Sequence, residues 1–309
     1  MIAKAHKILV IKLSALGDVV QAMGPCAAIR QAHRDAHITL LTTGPYAEFM
    51  TASGCFDEVW TDRRPRWWQV AAWRALKSRL DNAAFDLVYD LQTSERSGHY
   101  FRLLRRPKPA WSGVAPGCSL PHANPDRDRM HTIDRQREQL AFAGIDDVPA
   151  PDFDWIDGDI AAYDLPGRFI LIAAGGSAGR PAKRWPMAGY VALAQRLADK
   201  DMTPVLIGAG DEAARNAGIA EACPAAVDLT GRTSIADIAR LARAAQGAVG
   251  NDNGPMHLIA AVGCPSLVLY SADSDPALCA QRGPAVHILR RQDLDALAPD
   301  EVEAAIRLR

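Results

Sequence analysis

The sequence contains no apolar run near the roughly 20 residues that a membrane-spanning helix needs, and it has almost no net charge. The first apolar run is a strand interrupted by Lys12, which is unlike a secretory signal peptide. Its six cysteines are scattered without a C-x-x-C pair, which is typical of reduced thiols and offers no metal site. A formal charge of −1 argues against bulk binding to nucleic acid. We therefore expect a cytoplasmic protein with no nucleic-acid partner.

The chain is long enough for two domains. It has 309 residues, of which 49% are hydrophobic and 23% charged, as in ordinary globular proteins. The composition becomes rich in Pro and Asp over residues 146–159, which indicates a linker. We therefore predict one domain over residues 1–150 and a second over residues 151–309.

Short apolar runs alternate with helical patterns in both halves. The first half predicts strands at 7–13, 37–43, 58–60, 86–91 and 110–114, and helices at 19–33, 45–53, 96–104 and 131–143. The second half predicts strands at 169–174, 204–208, 226–229, 247–250 and 266–270, and helices at 187–200, 211–221, 234–245, 255–262 and 299–308. Residues 115–130 are rich in Pro, Gly, Asp and Arg and predict a long loop. This alternation predicts an α/β fold with two doubly wound parallel sheets.

The polar turns fall where such sheets bind ligands, at the carboxyl ends of strands. In the most distinctive of them, residues 251–254 follow a buried strand and open a helix with Pro255 in its first turn. Asp252 or Asn253 can cap that helix, and His257 lies about one turn further on. Helix N-terminal amides attract phosphate, so the turn suits a nucleotide diphosphate. An ordinary capped strand–turn–helix fits the stretch equally well.

Three further strand ends carry candidate side chains. Asp18 follows the first strand and could take a proton from a sugar hydroxyl, although capping the next helix would also explain it. Lys183 lies in a glycine-rich loop that is neither a Walker A nor a G-x-G-x-x-G sequence. As a point charge it could partner a diphosphate, or it could simply be solvated. Glu212 could accept hydrogen bonds from ribose hydroxyls, or it could complement a helix dipole.

Residues 61–80 are basic and aromatic. Such a cluster could bind an anionic glycan or lie near a membrane surface. A solvated helix face with inward-packed tryptophans explains most of its members more simply. Arg63, Arg64 and Arg66, directly after a strand, are the better binding candidates.

Five blocks of the chain resemble glycosyltransferase family 9, the ADP-heptose:lipopolysaccharide heptosyltransferase family. They occur in family order and span nearly the whole chain. The blocks are Lys7-Ile-Leu-Val-Ile-Lys-Leu-Ser-Ala-Leu-Gly-Asp-Val-Val-Gln21, Asp90-Leu-Gln92, Lys183-Arg-Trp-Pro186, Gly208-Ala-Gly-Asp-Glu212 and Asp252-Asn-Gly-Pro-Met-His257.

The resemblance implies a GT-B type architecture, in which two Rossmann-like domains face each other across a cleft. The N-terminal half would bind the acceptor and the C-terminal half the nucleotide sugar, and the last helix could pack back on the N-terminal domain. Asp18 would be the general base and Lys183 would steady the departing diphosphate. The donor-site residues would be Ser177, Glu212, Asp252, Asn253, Gly254 and His257. The acceptor candidates are Arg63, Arg64 and Gln92.

We therefore expect an inverting glycosyltransferase that moves heptose from ADP-heptose to a lipid-linked lipopolysaccharide core acceptor. No metal ion and no cofactor are expected. The expected location is the cytoplasm, with peripheral contact at the inner membrane left open. One alternative is a transferase for another nucleotide sugar in capsule or protein glycosylation. The other is a non-catalytic protein that binds nucleotide sugars or glycans.

Overall fold

The computed structural model describes residues 5–176 and 179–309 of the chain. The described residues form two compact units, one ending at Asp152 and the other running from Phe153 to Arg309. Each unit is built around its own parallel sheet.

The first unit has six parallel strands in the order β3-β2-β1-β4-β5-β6. They are β1 (Lys7–Ile11), β2 (His37–Thr42), β3 (Glu58–Thr61), β4 (Leu87–Asp90), β5 (Ala110–Gly113) and β6 (Leu120–Pro121). The central strand β1 pairs with β2 and β4, so that Leu9 lies beside Thr39 and Val88. Helices cover the faces of parallel sheets, which explains why β1 is an almost unbroken apolar run.

The helices of this unit are α1 (Leu16–Gln21), α2 (Met23–Ala32), α3 (Gly44–Ala52), α4 (Val70–Ala83), α5 (Glu95–Leu103) and α6 (Thr132–Phe142). The prediction of one helix over 19–33 was wrong, because Ala22 ends α1 and begins α2. The long loop predicted over 115–130 contains a two-residue strand, β6, that was not predicted. Two residues on a sheet edge leave no periodic pattern to recognise.

The second unit repeats the parallel design in the order β12-β11-β10-β7-β8-β9. Its strands are β7 (Phe169–Ala173), β8 (Thr203–Leu206), β9 (Val227–Asp228), β10 (Gly247–Asn251), β11 (Ser266–Tyr270) and β12 (Val286–Arg290). Strand β12 was not predicted, because its residues at the sheet edge are only partly buried or exposed and form no buried apolar run. Strand β10 lies between β7 and β11, and all five of its residues are buried.

The helices of the second unit are α7 (Met187–Ala198), α8 (Ala213–Ala222), α9 (Ile235–Ala244), α10 (Gly254–Ala261), α11 (Pro276–Cys279) and α12 (Pro299–Ala305). Helix α12 packs on α7 and places Val302 in the core of this unit. Across the described ranges, no helix combines the length and apolarity needed to span a bilayer. The predicted fold class, with two doubly wound α/β domains, is confirmed.

Gly250 provides a direct test of the packing in the second unit. A Cβ atom at this position would lie 2.8 Å from both the Ala173 carbonyl oxygen and Met256 Cγ. We expect Gly250→Ala to lower the free energy of unfolding by about 1–3 kcal/mol, the usual cost of overpacking. The measurement is urea denaturation.

The matched control is Gly167→Ala in the same unit, where a Cβ atom would meet nothing within 4 Å. It should change stability by less than about 0.5 kcal/mol. Equal unfolding midpoints for the two variants would contradict the described packing of β7, β10 and α10.

Candidate functional site

In the second unit, the buried side chain of Asn251 joins three chain segments at the end of the sheet. Its amide nitrogen donates to the carbonyl oxygens of Ala174 and Gly175, at 2.8 and 2.9 Å. Its carbonyl oxygen accepts the backbone N–H of Trp185 at 2.9 Å. The end of β10 is thereby fixed to the end of β7 and to the segment that carries Lys183.

This arrangement brings Lys183 and Asp252 together. Lys183 Nζ lies 2.8 Å from Asp252 Oδ2 and also donates to Ser274 Oγ at 2.9 Å. Ser274 Oγ donates to the same carboxylate oxygen at 2.6 Å. Asp252 Oδ1 accepts from Tyr270 Oη and Gln281 Nε2, each at 3.1 Å. We call this set the Asp252 cluster: Lys183, Asp252, Tyr270, Ser274 and Gln281.

The cluster keeps Asp252 ionised. Its side chain is only 8% exposed, and burial by itself would raise the pKa of the carboxyl. The hydrogen bonds from Lys183 and Ser274, with the charge of Lys183, outweigh burial and hold that pKa below its ordinary value. Four donors also fill the roughly four acceptor positions of a carboxylate. Asp252 therefore orients Lys183 within the cluster.

The expected helix cap is confirmed, and the residue that provides it is Asn253. Its side-chain oxygen accepts the Met256 N–H at 3.2 Å. Its amide nitrogen donates to the carbonyl oxygens of Ala173 and Gly175, at 2.9 and 3.0 Å. The side chain of Asn253 thus supports the turn, and the backbone of the first helical turn is the part suited to an anion.

Gly254 and His257 lie on the same helix, α10. Gly254 is its first residue, where backbone N–H groups have no partner within the helix. His257 is buried, and charge on its ring would favour the ionised form of Asp252. A ligand at this turn would thus meet the helix N-terminus beside the Asp252 cluster.

Glu212 lies at the ends of β7 and β8. One carboxylate oxygen accepts the Ala209 N–H at 2.9 Å. A Cβ atom at Gly175 would fall 1.3 Å from Glu212 Oε1, and one at Gly208 would fall 2.6 Å from Oε2. A larger residue at either position would therefore displace this carboxylate from its place. Ser177, the remaining candidate in this unit, lies outside the described residues.

In the first unit, Asp18 occupies the first turn of α1. Its carboxylate accepts the Ala15 N–H at 3.1 Å, so it caps the helix as the sequence allowed. The side chain is only half-buried and lines a pocket of about 290 Å³. Capping and a second, chemical role are therefore compatible at this position.

Residues that follow β1 and β4 line this pocket. The side-chain oxygen of Gln92 accepts the backbone N–H groups of Leu13 and Ser14 at 2.8 and 3.2 Å, which fixes the turn before Asp18. The buried Lys12 ammonium donates to the Leu91 carbonyl at 3.2 Å. Burial lowers the pKa of Lys12, although the nearby Asp18 opposes that shift.

Asp90 directly precedes the pocket residue Leu91 and is fully buried at the end of β4. Burial raises the pKa of Asp90 to about 6, against the opposing effect of backbone N–H donors. The carboxylate accepts from Thr93 and Gln92 at 2.9 and 3.1 Å. Asp90 therefore holds the β4–α5 turn, which brings Gln92 to the pocket.

The sequence did not indicate two of the most polar residues in this pocket. Arg127 and Arg135 line it together with Lys12, Asp18 and Gln92, and we call it the Asp18 pocket. Arg127 lies in the stretch predicted to be a loop, and Arg135 lies on α6 with no motif around it. Three cationic side chains and two carboxylates, Asp18 and Asp128, line the pocket, and this excess of positive charge suits an anionic ligand.

The arginines proposed from sequence occupy different positions. The Arg64 guanidinium contacts Ser14 Oγ, in the turn that precedes Asp18. Arg63 is exposed and does not line the Asp18 pocket. Within residues 5–176 and 179–309, no three His, Cys, Asp or Glu side chains converge as metal ligands would.

The fold and the two sites define a class: a doubly wound α/β protein in which each unit has a strand edge with side chains or backbone donors suited to an anion. Comparisons with known proteins are more specific. The model of glycosyltransferase family 9 (heptosyltransferase) matches residues 73–294. Lipopolysaccharide heptosyltransferase 1 of Pseudomonas aeruginosa is 27% identical over 281 residues, which cover 85% of this chain and 78% of that protein.

Solved structures of heptosyltransferases have the same fold as this chain. The structure of E. coli ADP-heptose lps heptosyltransferase II has a TM-score of 0.79 at 20% identity, covering 97% of both chains. That of E. coli heptosyltransferase WaaC with ADP-2-deoxy-2-fluoro heptose has a TM-score of 0.75 at 21% identity, covering 96% of this chain and 98% of that one. At these identities the likeness establishes a shared GT-B type fold. The chain belongs to glycosyltransferase family 9, the heptosyltransferase family, and is a glycosyltransferase.

The ion pair in the Asp252 cluster predicts a pH-dependent stability. Asp252→Asn would turn an amide N–H₂ or an uncharged oxygen toward Lys183 and leave a buried cation unpaired. We expect a loss of about 3 kcal/mol at pH 7, in the range for breaking one side of a buried pair. Because the folded-state pKa is depressed, this difference should be full above about pH 4 and should shrink as pH falls further.

Urea denaturation from pH 7 down to pH 3 measures the difference. Asp273→Asn, an exposed carboxylate in the same loop region, is the control and should change stability by less than about 0.5 kcal/mol at each pH. A constant difference between wild type and Asp252→Asn over the whole range would show that Asp252 is not a stabilising ion.

Proposed function

We propose that this protein transfers a heptose from ADP-heptose to a lipopolysaccharide core acceptor, with inversion at the anomeric carbon and without a metal ion. The observation that carries the proposal is the family match over residues 73–294, which includes the Asp252 cluster and the arginines Arg127 and Arg135 of the Asp18 pocket. The relatives' names supply the substrates: heptosyltransferases of lipopolysaccharide, one of them solved with an ADP-heptose analogue. The proposed location is the inner face of the cytoplasmic membrane.

In the proposed reaction Asp18 is the general base. Its carboxylate takes the proton of an acceptor hydroxyl while that oxygen bonds to the anomeric carbon of the donor. The bond from this carbon to the diphosphate oxygen breaks on the opposite face, and ADP leaves with the electron pair. A single displacement of this kind inverts the anomeric configuration. The position of Asp18 in a pocket lined by cations supports an anionic acceptor.

Lys183 has the proposed role of stabilising the departing diphosphate. An ammonium has three N–H donors, and two of them go to Asp252 and Ser274. The third is sufficient for one phosphate oxygen. The N-terminus of α10 adds partial positive charge beside it, so the negative charge that develops in the transition state meets fixed donors. These groups give the stabilisation that a metal ion would otherwise supply.

The rest of the proposed donor site surrounds the diphosphate. Glu212, at the ends of β7 and β8, is proposed to accept hydrogen bonds from the ribose hydroxyls. Asn253, Gly254 and His257 are proposed to bind the donor at the turn that begins α10. Ser177 is also proposed as a donor-site residue. On the acceptor side, Arg127 and Arg135 join the candidates Arg63, Arg64 and Gln92. Guanidinium groups bind carboxylate or phosphate in two-point contacts, which suits acidic core sugars.

Asp18→Asn tests the chemistry. The amide cannot accept the proton, so we expect turnover to fall by about 10²–10⁴-fold while ADP still binds. Product is measured by mass spectrometry with ADP-heptose and truncated core acceptors, with and without EDTA, which should leave wild-type turnover unchanged. Asp35→Asn, an exposed carboxylate of the same unit, is the control and should retain wild-type turnover. Undiminished transfer by Asp18→Asn would remove this residue as the base.

Lys183→Ala tests the donor site. Loss of a charged donor to the diphosphate should weaken ADP binding by about 10–100-fold in calorimetry. Lys200→Ala, an exposed lysine near the end of α7, should bind ADP as wild type does. The wild-type protein should bind ADP more tightly than UDP or GDP. Unchanged ADP affinity in Lys183→Ala would reject the role, and a preference for UDP or GDP would reject ADP-heptose as the donor.

A further inference from the structure

The first unit carries an aromatic and basic surface that the proposed transfer chemistry does not use. Trp67 is 83% exposed and Trp68 is 53% exposed, and their rings pack edge to face with centroids 5.4 Å apart. They border a groove of about 800 Å³ between the turn before α4 and the helix α5. We call this surface the tryptophan–arginine face, after Arg66, Trp67, Trp68, Trp73, Arg96 and Arg102.

The exposed rings project from an anchored turn. Gln69 Oε1 accepts the Arg66 N–H at 2.7 Å, and Trp73 Nε1 donates to the Arg66 carbonyl at 3.1 Å. The Trp73 ring also packs against the buried Tyr100, with centroids 6.1 Å apart. The turn that carries Trp67 and Trp68 is therefore held in place by contacts within the unit.

Positive charge is concentrated around the same groove. Residues 63–74 and 95–108 contain nine arginines and lysines and a single acidic residue, Glu95, in a chain whose net charge is −1. The Arg66 guanidinium lies 5.2 Å from the Trp68 ring centroid, and that of Arg96 lies 5.7 Å from that of Trp73. Arg102 on α5 and Arg106 beyond its end are both exposed and line an adjoining depression with Lys108. Apolar rings and cations thus share one surface.

An anionic bilayer is the partner that satisfies both features. Indoles favour the boundary between lipid headgroups and acyl chains, because one part of the ring is apolar and the N–H is polar. Arginine pairs with phosphate oxygens, and the negative surface potential of a membrane attracts clustered cations. A second copy of this chain would bring two basic faces together, which charge repulsion disfavours.

We propose that the tryptophan–arginine face docks the protein on a bilayer that contains anionic phospholipid. Trp67 and Trp68 enter the headgroup region, and the surrounding arginines contact lipid phosphates. Docking itself does not depend on the transfer reaction. Its use, to bring the first unit to a lipid-linked acceptor, rests on the proposed function.

Vesicle co-sedimentation without any sugar substrate tests the docking. The probes are phosphatidylethanolamine vesicles with phosphatidylglycerol, and phosphatidylcholine vesicles for comparison. Wild type should bind the anionic vesicles, and the double variant Trp67→Ala/Trp68→Ala should bind them about tenfold more weakly or worse. Phe142→Ala, which removes a 52% exposed ring outside this groove, should bind as wild type does.

A second variant separates charge from apolar insertion. Arg66→Gln/Arg102→Gln should weaken binding to the anionic vesicles and reduce its sensitivity to salt, with little effect on phosphatidylcholine vesicles. Wild-type tryptophan fluorescence should shift to shorter wavelength on anionic vesicles. The shift should be lost in Trp67→Ala/Trp68→Ala.

Several outcomes would overturn the proposal. These are no sedimentation of wild type, equal sedimentation of the tryptophan variant, or a dimer in light scattering that the tryptophan variant loses. Tight binding of a soluble acidic oligosaccharide, lost in the same variant, would assign the face to a glycan. Turnover on a water-soluble, delipidated core acceptor separates the two proposals, because it tests transfer alone and should be equal in wild type and Trp67→Ala/Trp68→Ala.

Discussion

One buried amide, that of Asn251, determines the local geometry of the second unit's site. Parallel pairing brings the ends of β7 and β10 to the same sheet edge, but pairing alone does not fix the loop that carries Lys183. Asn251 does so by bonding the Trp185 N–H with its oxygen and two carbonyls with its nitrogen. Asp252 follows Asn251, and Lys183 precedes Trp185 by two residues. The hydrogen bonds of the Asn251 side chain therefore place Lys183 beside Asp252. An aliphatic residue in place of Asn251 would leave buried polar groups of the backbone without hydrogen-bond partners.

In the first unit, the side-chain amide of Gln92 has the corresponding role of fixing a loop at the site. The turn after β1 must hold Asp18 in place, and Gln92 from the end of β4 reaches across to bond the N–H groups of Leu13 and Ser14. In both units a neutral amide holds the backbone while the charged groups remain directed at the site. An uncharged amide side chain is suited to holding the backbone, because a buried charge in the same position would carry a large desolvation cost.

The repeating pattern of strand and helix was sufficient to predict the fold class, because the central strands β1, β7, β10 and β11 are buried runs of mostly apolar residues followed by polar turns. The cap of α10 was also predictable, since Asn253 stands directly before a Pro-containing first turn. The full set of residues at each site could not be predicted from the sequence. Arg127 and Arg135 join the Asp18 pocket only through tertiary packing, and Tyr270 and Gln281 reach Asp252 from 18 and 29 residues away. No local pattern encodes such contacts.

The distribution of charge matters more for this chain than its sum. A net charge near zero weakens long-range attraction to any polyanion, yet one surface of the first unit is densely cationic. Within a Debye length of roughly 8 Å at physiological salt, a partner experiences that local density and not the total. Of the nearby acidic residues, Asp81 has a side chain that is only 4% exposed and is paired with Lys77 and Arg105, which leaves Glu95 as the acidic residue that lines the groove. A globally neutral protein can therefore carry a strongly basic face, because neutrality limits only the field at a distance.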